Sequence, residues 1–110
     1  MPFESRVEED STVVTVDEVR LDAALAEPFK NYLFDEIEKG AESLIVDLTN
    51  VKFMDSSGLG SLVAALKKMA GNGKIRLAGA QPAVRDLFDL TSMEKLFPIS
   101  ETVSDALEGD

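Results

Sequence analysis

Residues Leu44–Leu62 read LIVDLTNVKFMDSSGLGSL, and the change of side-chain pattern along them decides the fold. The first five, Leu44–Leu48, are apolar except at Asp47 and do not alternate, as in a central strand covered on both faces. From Gly58 onward Leu59, Leu62, Val63, Leu66 and Met69 follow a helical period, which predicts an amphipathic helix ending at Gly71 or Gly73. The stretch is therefore strand, loop, helix. Its loop, FMDSSGLG at Phe53–Gly60, lies on the carboxyl side of the strand.

Upstream, Thr12–Val16 is β-branched throughout and reads as a strand, with residues 3–8 as an edge partner. Phe29, Leu33 and Ile37 recur every four residues and predict a helix over about 24–39, with Pro28 in its first turn and Gly40 closing it. Downstream, Lys74–Ala78 alternates polar and apolar residues, which predicts a strand with one solvated face. Pro82 opens a helix through Val84, Leu87 and Phe88. A short strand near Phe97–Ile99 and an acidic helical tail over Glu101–Leu107 complete the chain. Alternating strands and helices imply an α/β fold in a single domain, residues 1–110, with a mixed four- to five-stranded sheet and helices packed mainly on one face. Right-handed crossovers then put FMDSSGLG at the carboxyl edge of the sheet, where α/β folds tend to place function.

Composition removes several classes of function. The 110 residues carry 11 basic and 21 acidic side chains, a net charge of −10, which disfavours binding to a nucleic-acid backbone. The region 52–95 is locally basic, with seven basic and four acidic side chains. Cysteine and histidine are absent. Disulfides, thiolate chemistry, the serine–histidine–aspartate triad and the commonest transition-metal ligands go with them. No apolar run approaches the roughly 20 residues of a membrane span, and MPFESRVEED lacks the features of a secretion signal. The expectation is a cytoplasmic protein without a membrane, metal or cofactor.

Within the loop, two serines stand where one cap would suffice, and two glycines weaken the helix start. If the helix begins near Ser57, that serine is a natural N-cap. Ser56 is then left to project into solvent beside the positive end of the helix dipole. A phosphate on Ser56 would add about −1.5 to −2 charges where helix amides favour an anion, leaving the fold intact while opposing a partner that buries the loop beside Asp55. Gly58 and Gly60 would bare backbone to that partner. The plainer reading is that Asp55, Ser56 and Ser57 form a polar turn and cap. The glycines do not complete a nucleotide-binding motif. An enzyme using either serine as nucleophile would need a lysine or carboxylate base, and no serine-x-x-lysine spacing occurs at the loop.

The block from Leu44 to Phe97, about half of the chain, resembles the anti-sigma factor antagonists, whose fold is the sulphate transporter and anti-sigma factor antagonist (STAS) domain. Its centre is a strand followed by F-M-D-S-S-G-L-G, a glycine-closed helix, and a strand ending before A-x-P-A-V. The resemblance implies a non-enzymatic protein that binds an anti-sigma factor with serine-kinase activity and displaces the sigma factor. Phosphorylation by that kinase switches it off, and a PP2C-type phosphatase restores it. The acceptor corresponds to Ser56, the serine directly after the aspartate. Asp22 matches an acidic position near the switch loop, and reads equally well as a helix N-cap before Ala23. With Asp55, Ser57, Gly58, Leu59 and Gly60 it makes up the expected partner surface on a monomer or weak homodimer. DEVRLDAALAEP departs from the family by lacking a glycine–glutamate turn, and Thr91 and Ser92 replace a more usual serine–glycine pair. The alternative is a non-catalytic STAS subunit of a larger regulatory or transporter-associated assembly.

Overall fold

Strand β1, Phe3–Glu8, reverses at Glu9, whose φ of 55° closes a tight turn, and pairs antiparallel with β2, Ser11–Val16. Everything after this hairpin is parallel. The computed structural model, which describes residues 2–69 and 71–109, continues through a two-residue strand β3, Arg20–Leu21, into helix α1, Ala23–Glu38. Strand β4, Ser43–Asp47, is followed by β5, Phe53–Met54, and helix α2, Ser56–Lys68. Strand β6, Lys74–Ala78, leads into helix α3, Pro82–Leu90, then a short 3-10 turn at Met93–Lys95, strand β7, Ile99–Ser100, and helix α4, Val103–Glu108. Five strands form one mixed sheet in the order β1-β2-β4-β6-β7, and β3 pairs with β5 as a separate parallel ribbon.

The period-2 alternation of the strands sorts the core into two layers. Val14, Val16, Leu44, Val46, Ile75 and Leu77 meet α1, α2 and α3 through Phe29, Leu33, Leu62, Val84 and Phe88. Phe3 packs its ring 5.4 Å from both Phe29 and Tyr32, tying the edge strand to α1. Val13, Ile45 and Ala78 face the other way and are covered by Ala106 of α4, with Val103 and Leu107 beside it.

Several local expectations are corrected. Lys74–Ala78 has no solvated face: Arg76 is 7% exposed, because α4 closes over it and accepts its Nη1 proton at the Ala106 carbonyl. Pro28 lies inside α1, at its sixth residue, because the helix starts at Ala23. Helix α2 ends at Lys68, with Met69 already extended, so Gly71, at φ 62°, serves the following turn. The last strand is Ile99–Ser100. Phe97 is instead a core residue, edge-on to Phe88 at 6.0 Å. Ser92 takes a left-handed φ of 59° at the exit from α3, a conformation that glycine adopts more easily.

Candidate functional site

The β3–β5 ribbon builds the site. Parallel pairing sets Arg20 beside Phe53 and Leu21 beside Met54, so the next residue of each strand, Asp22 and Asp55, begins a helix at the same level. Asp22 is the N-cap of α1, its Oδ1 accepting the Ala24 amide at 3.2 Å. Arg20 Nε reaches its other oxygen at 3.4 Å. Asp55 is the N-cap of α2, its Oδ1 accepting the amides of Ser57 at 2.9 Å and Gly58 at 3.3 Å. Two aspartate-capped helix starts therefore stand together. Ser61 locks them from below, donating from Oγ to the Ala26 carbonyl at 2.7 Å across the helix pair.

This arrangement corrects the expected division of the two serines. The cap is Asp55: its carboxylate takes the Ser57 and Gly58 amides, so the helix starts two residues earlier than a Ser57 cap, which would serve Leu59 or Gly60, would place it. Ser56 is consequently the first helical residue, and it is exposed, while Ser57 is half-buried. The two glycines also differ. Gly58 is buried, and a Cβ built on it would lie 2.7 Å from the Leu21 carbonyl and 3.0 Å from Leu21 Cγ and Met54 Cγ. Its bare backbone lets α2 start against the ribbon, so it is not open to a partner. Gly60 is exposed with nothing within 4 Å of its would-be Cβ. Leu59 is 8% exposed and belongs to the core.

Sequence reasoning missed the apolar neighbours of this corner. Val19 and Phe53 are 54% and 39% exposed, and the Arg20 guanidinium lies 4.4 Å from the Phe53 ring centre. The Val19 carbonyl accepts the amides of Lys52 and Phe53, at 2.8 and 3.2 Å, which fixes the loop on the ribbon. A two-residue strand is too short to show alternation, so no periodic signal marked Phe53 as outward and Met54 as inward. Among the described residues, no cluster of three or more acidic, histidine or cysteine side chains could hold a metal, and no helix is long and apolar enough to cross a membrane.

The STAS domain model matches residues 3–106 of the chain. The chain belongs to the STAS domain family. A Thermotoga maritima protein described as a candidate anti-sigma factor antagonist is 30% identical over 101 residues, 90% of this chain and 89% of that protein. The crystal structure of an anti-sigma factor antagonist from Mycobacterium paratuberculosis superposes with a TM-score of 0.88 at 26% identity, over 97% of this chain and 91% of that one. The Bacillus cell fate determinant SpoIIAA, solved in its phosphorylated form, shares the fold at a TM-score of 0.73 and 23% identity, over 96% of each chain.

Proposed function

We propose that this STAS domain is an anti-sigma factor antagonist, binding an anti-sigma factor with serine-kinase activity while unphosphorylated, and switched off by phosphate on Ser56. The observation that carries the reading is the placement of Ser56: an exposed hydroxyl at the first position of α2, flanked by the Asp22 and Asp55 caps and by exposed Val19, Arg20 and Phe53. A half-exposed aromatic and an arginine are the side chains that most often anchor an interface. Gly60 lets a partner approach the backbone of the first turn, and Ser57 supplies polarity at the edge. Gly58 and Leu59 act from within, shaping the corner.

Phosphate at Ser56 would add two kinds of local energy of opposite sign. The helix dipole favours an anion at this end by about 0.3–1 kcal/mol. Asp55 opposes it, because its carboxylate already occupies the Ser57 and Gly58 amides and repels a second anion. Both act at an exposed helix start, where solvent screens charge interactions, so the fold should persist. A docked partner meets a different balance: burying a dianion without a matched cation is strongly unfavourable. The switch thus acts on affinity, in a cytoplasmic setting, with a PP2C-type phosphatase reversing it.

The test is to capture the partner with unphosphorylated protein, incubate the pair with ATP, and locate the phosphate by mass spectrometry. Phosphate on Ser56 supports the proposal. Phosphate confined to Ser57 or absent altogether overturns it.

A further inference from the structure

At the opposite edge of the sheet, where β2, β4 and β6 begin, lies a cavity of about 390 Å³ whose lining includes Arg76, Ser11 and Ser43. These three form an unusual floor. Arg76 is 93% buried, yet no carboxylate pairs with it among the described residues. Its Nη1 donates to the Ala106 carbonyl, and its Nη2 donates to Ser11 Oγ at 3.2 Å and Ser43 Oγ at 3.1 Å. Its Nε has no hydrogen-bond partner among the described residues. The two hydroxyls stand 2.9 Å apart, and only one can donate to the other. The second hydroxyl proton is therefore left over, beside a buried cation that has no counter-charge among the described residues. Such a floor calls for an anionic acceptor.

The mouth has the opposite sign. Glu9, Asp10 and Glu42 also line the cavity and are all exposed, whereas Arg76 and Ser11 are buried. Lys74 adds a second cation to the lining. A multiply charged anion such as phosphate would have to pass three carboxylates on a chain of net charge −10. A ligand with a carboxylate at one end and an ammonium at the other matches both zones.

We propose that this cavity binds a small amino-carboxylate, its carboxylate taken by Arg76 and the Ser11–Ser43 hydroxyls and its ammonium facing Glu9, Asp10 and Glu42. The volume is in the range of small-molecule sites. Because the cavity opens at the amino edge of the parallel strands and Ser56 lies beyond the carboxyl edge, such a ligand could bind without touching the partner surface.

The full chain, uniformly labelled with nitrogen-15, would be titrated with glycine, 4-aminobutyrate, acetate, methylammonium and inorganic phosphate at constant ionic strength. One of the two amino-carboxylates should give saturable shifts at the Ser11, Ser43 and Arg76 amides and at Arg76 Nε–Hε. Acetate and methylammonium should bind at least about tenfold more weakly, equivalent to about 1.4 kcal/mol. Ser43→Ala, which leaves Arg76 and its bond to α4 in place, should weaken binding severalfold, as should Glu42→Gln on the exposed rim. Absence of saturation by about 10 mM, about tenfold above a millimolar dissociation constant, overturns the proposal. So does acetate or phosphate binding as tightly as the amino-carboxylates, or an affinity unchanged in both variants.

Discussion

Replacing Gly58 by alanine tests whether the switch loop is held by the close approach of α2 to the β3–β5 ribbon. The added methyl would sit 2.7 Å from the Leu21 carbonyl oxygen and 3.0 Å from two side-chain carbons. One of these neighbours is backbone that also accepts the Asp55 amide, so it cannot swing aside as a side-chain end could. Overpacking of this kind costs about 1–3 kcal/mol. Alanine returns up to about 1 kcal/mol of helix propensity, less in a first turn. The net loss is about 1–2 kcal/mol, a fall in Tm of roughly 4–10 °C for a domain near this size. Gly60→Ala is the control, because it meets nothing within 4 Å and should raise stability by a few tenths to about 1 kcal/mol. Urea denaturation with matched m-values and thermal unfolding would measure both. A Gly58→Ala variant as stable as wild type, or both variants moving in the same direction, would refute the packing argument.

Asp55→Ala removes the acceptor of two α2 amides and should destabilise by about 1 kcal/mol in chemical denaturation. Ser92→Gly relieves a left-handed φ of 59° and should raise stability by about 0.5–1 kcal/mol once the added freedom of the unfolded chain is counted. Phe53→Ala trims an exposed ring and should leave Tm within a few degrees while weakening the captured partner at least about tenfold, as expected of an interface anchor. Unchanged partner affinity would remove Phe53 from the interface.

The order of helices and strands was legible in the sequence because each major element carried its own pattern: the apolar run of Leu44–Leu48, interrupted only at Asp47, reads as a buried strand, and the i, i+3, i+4 spacing of Leu59, Leu62 and Val63 reads as a helix. Elements lacking a period were not legible. The β3–β5 ribbon is two residues long, yet it sets Asp22 level with Asp55 and turns Phe53 outward. Arg76 misled for a different reason. A charged residue inside an alternating strand signals a solvated face unless another element supplies partners, and here α4 and two serines do so. The site itself was half visible. DSSG marked the loop, but whether Asp55 or Ser57 caps depends on where the helix starts, and boundaries are the weakest part of any sequence pattern. Gly58 and Gly60 look equivalent in sequence. Only the packing of α2 on Leu21 and Met54 separates them.

The central claim is that phosphate on Ser56 changes affinity and leaves the fold in place. Isothermal titration of the captured anti-sigma factor with unphosphorylated protein and with protein phosphorylated on Ser56, alongside unfolding curves of the same two samples, tests it directly. The affinities should differ by about 100-fold, or about 2.7 kcal/mol, with folding stabilities within about 1 kcal/mol of each other. Equal affinities, or a loss of binding matched by unfolding of the phosphorylated chain, would contradict it.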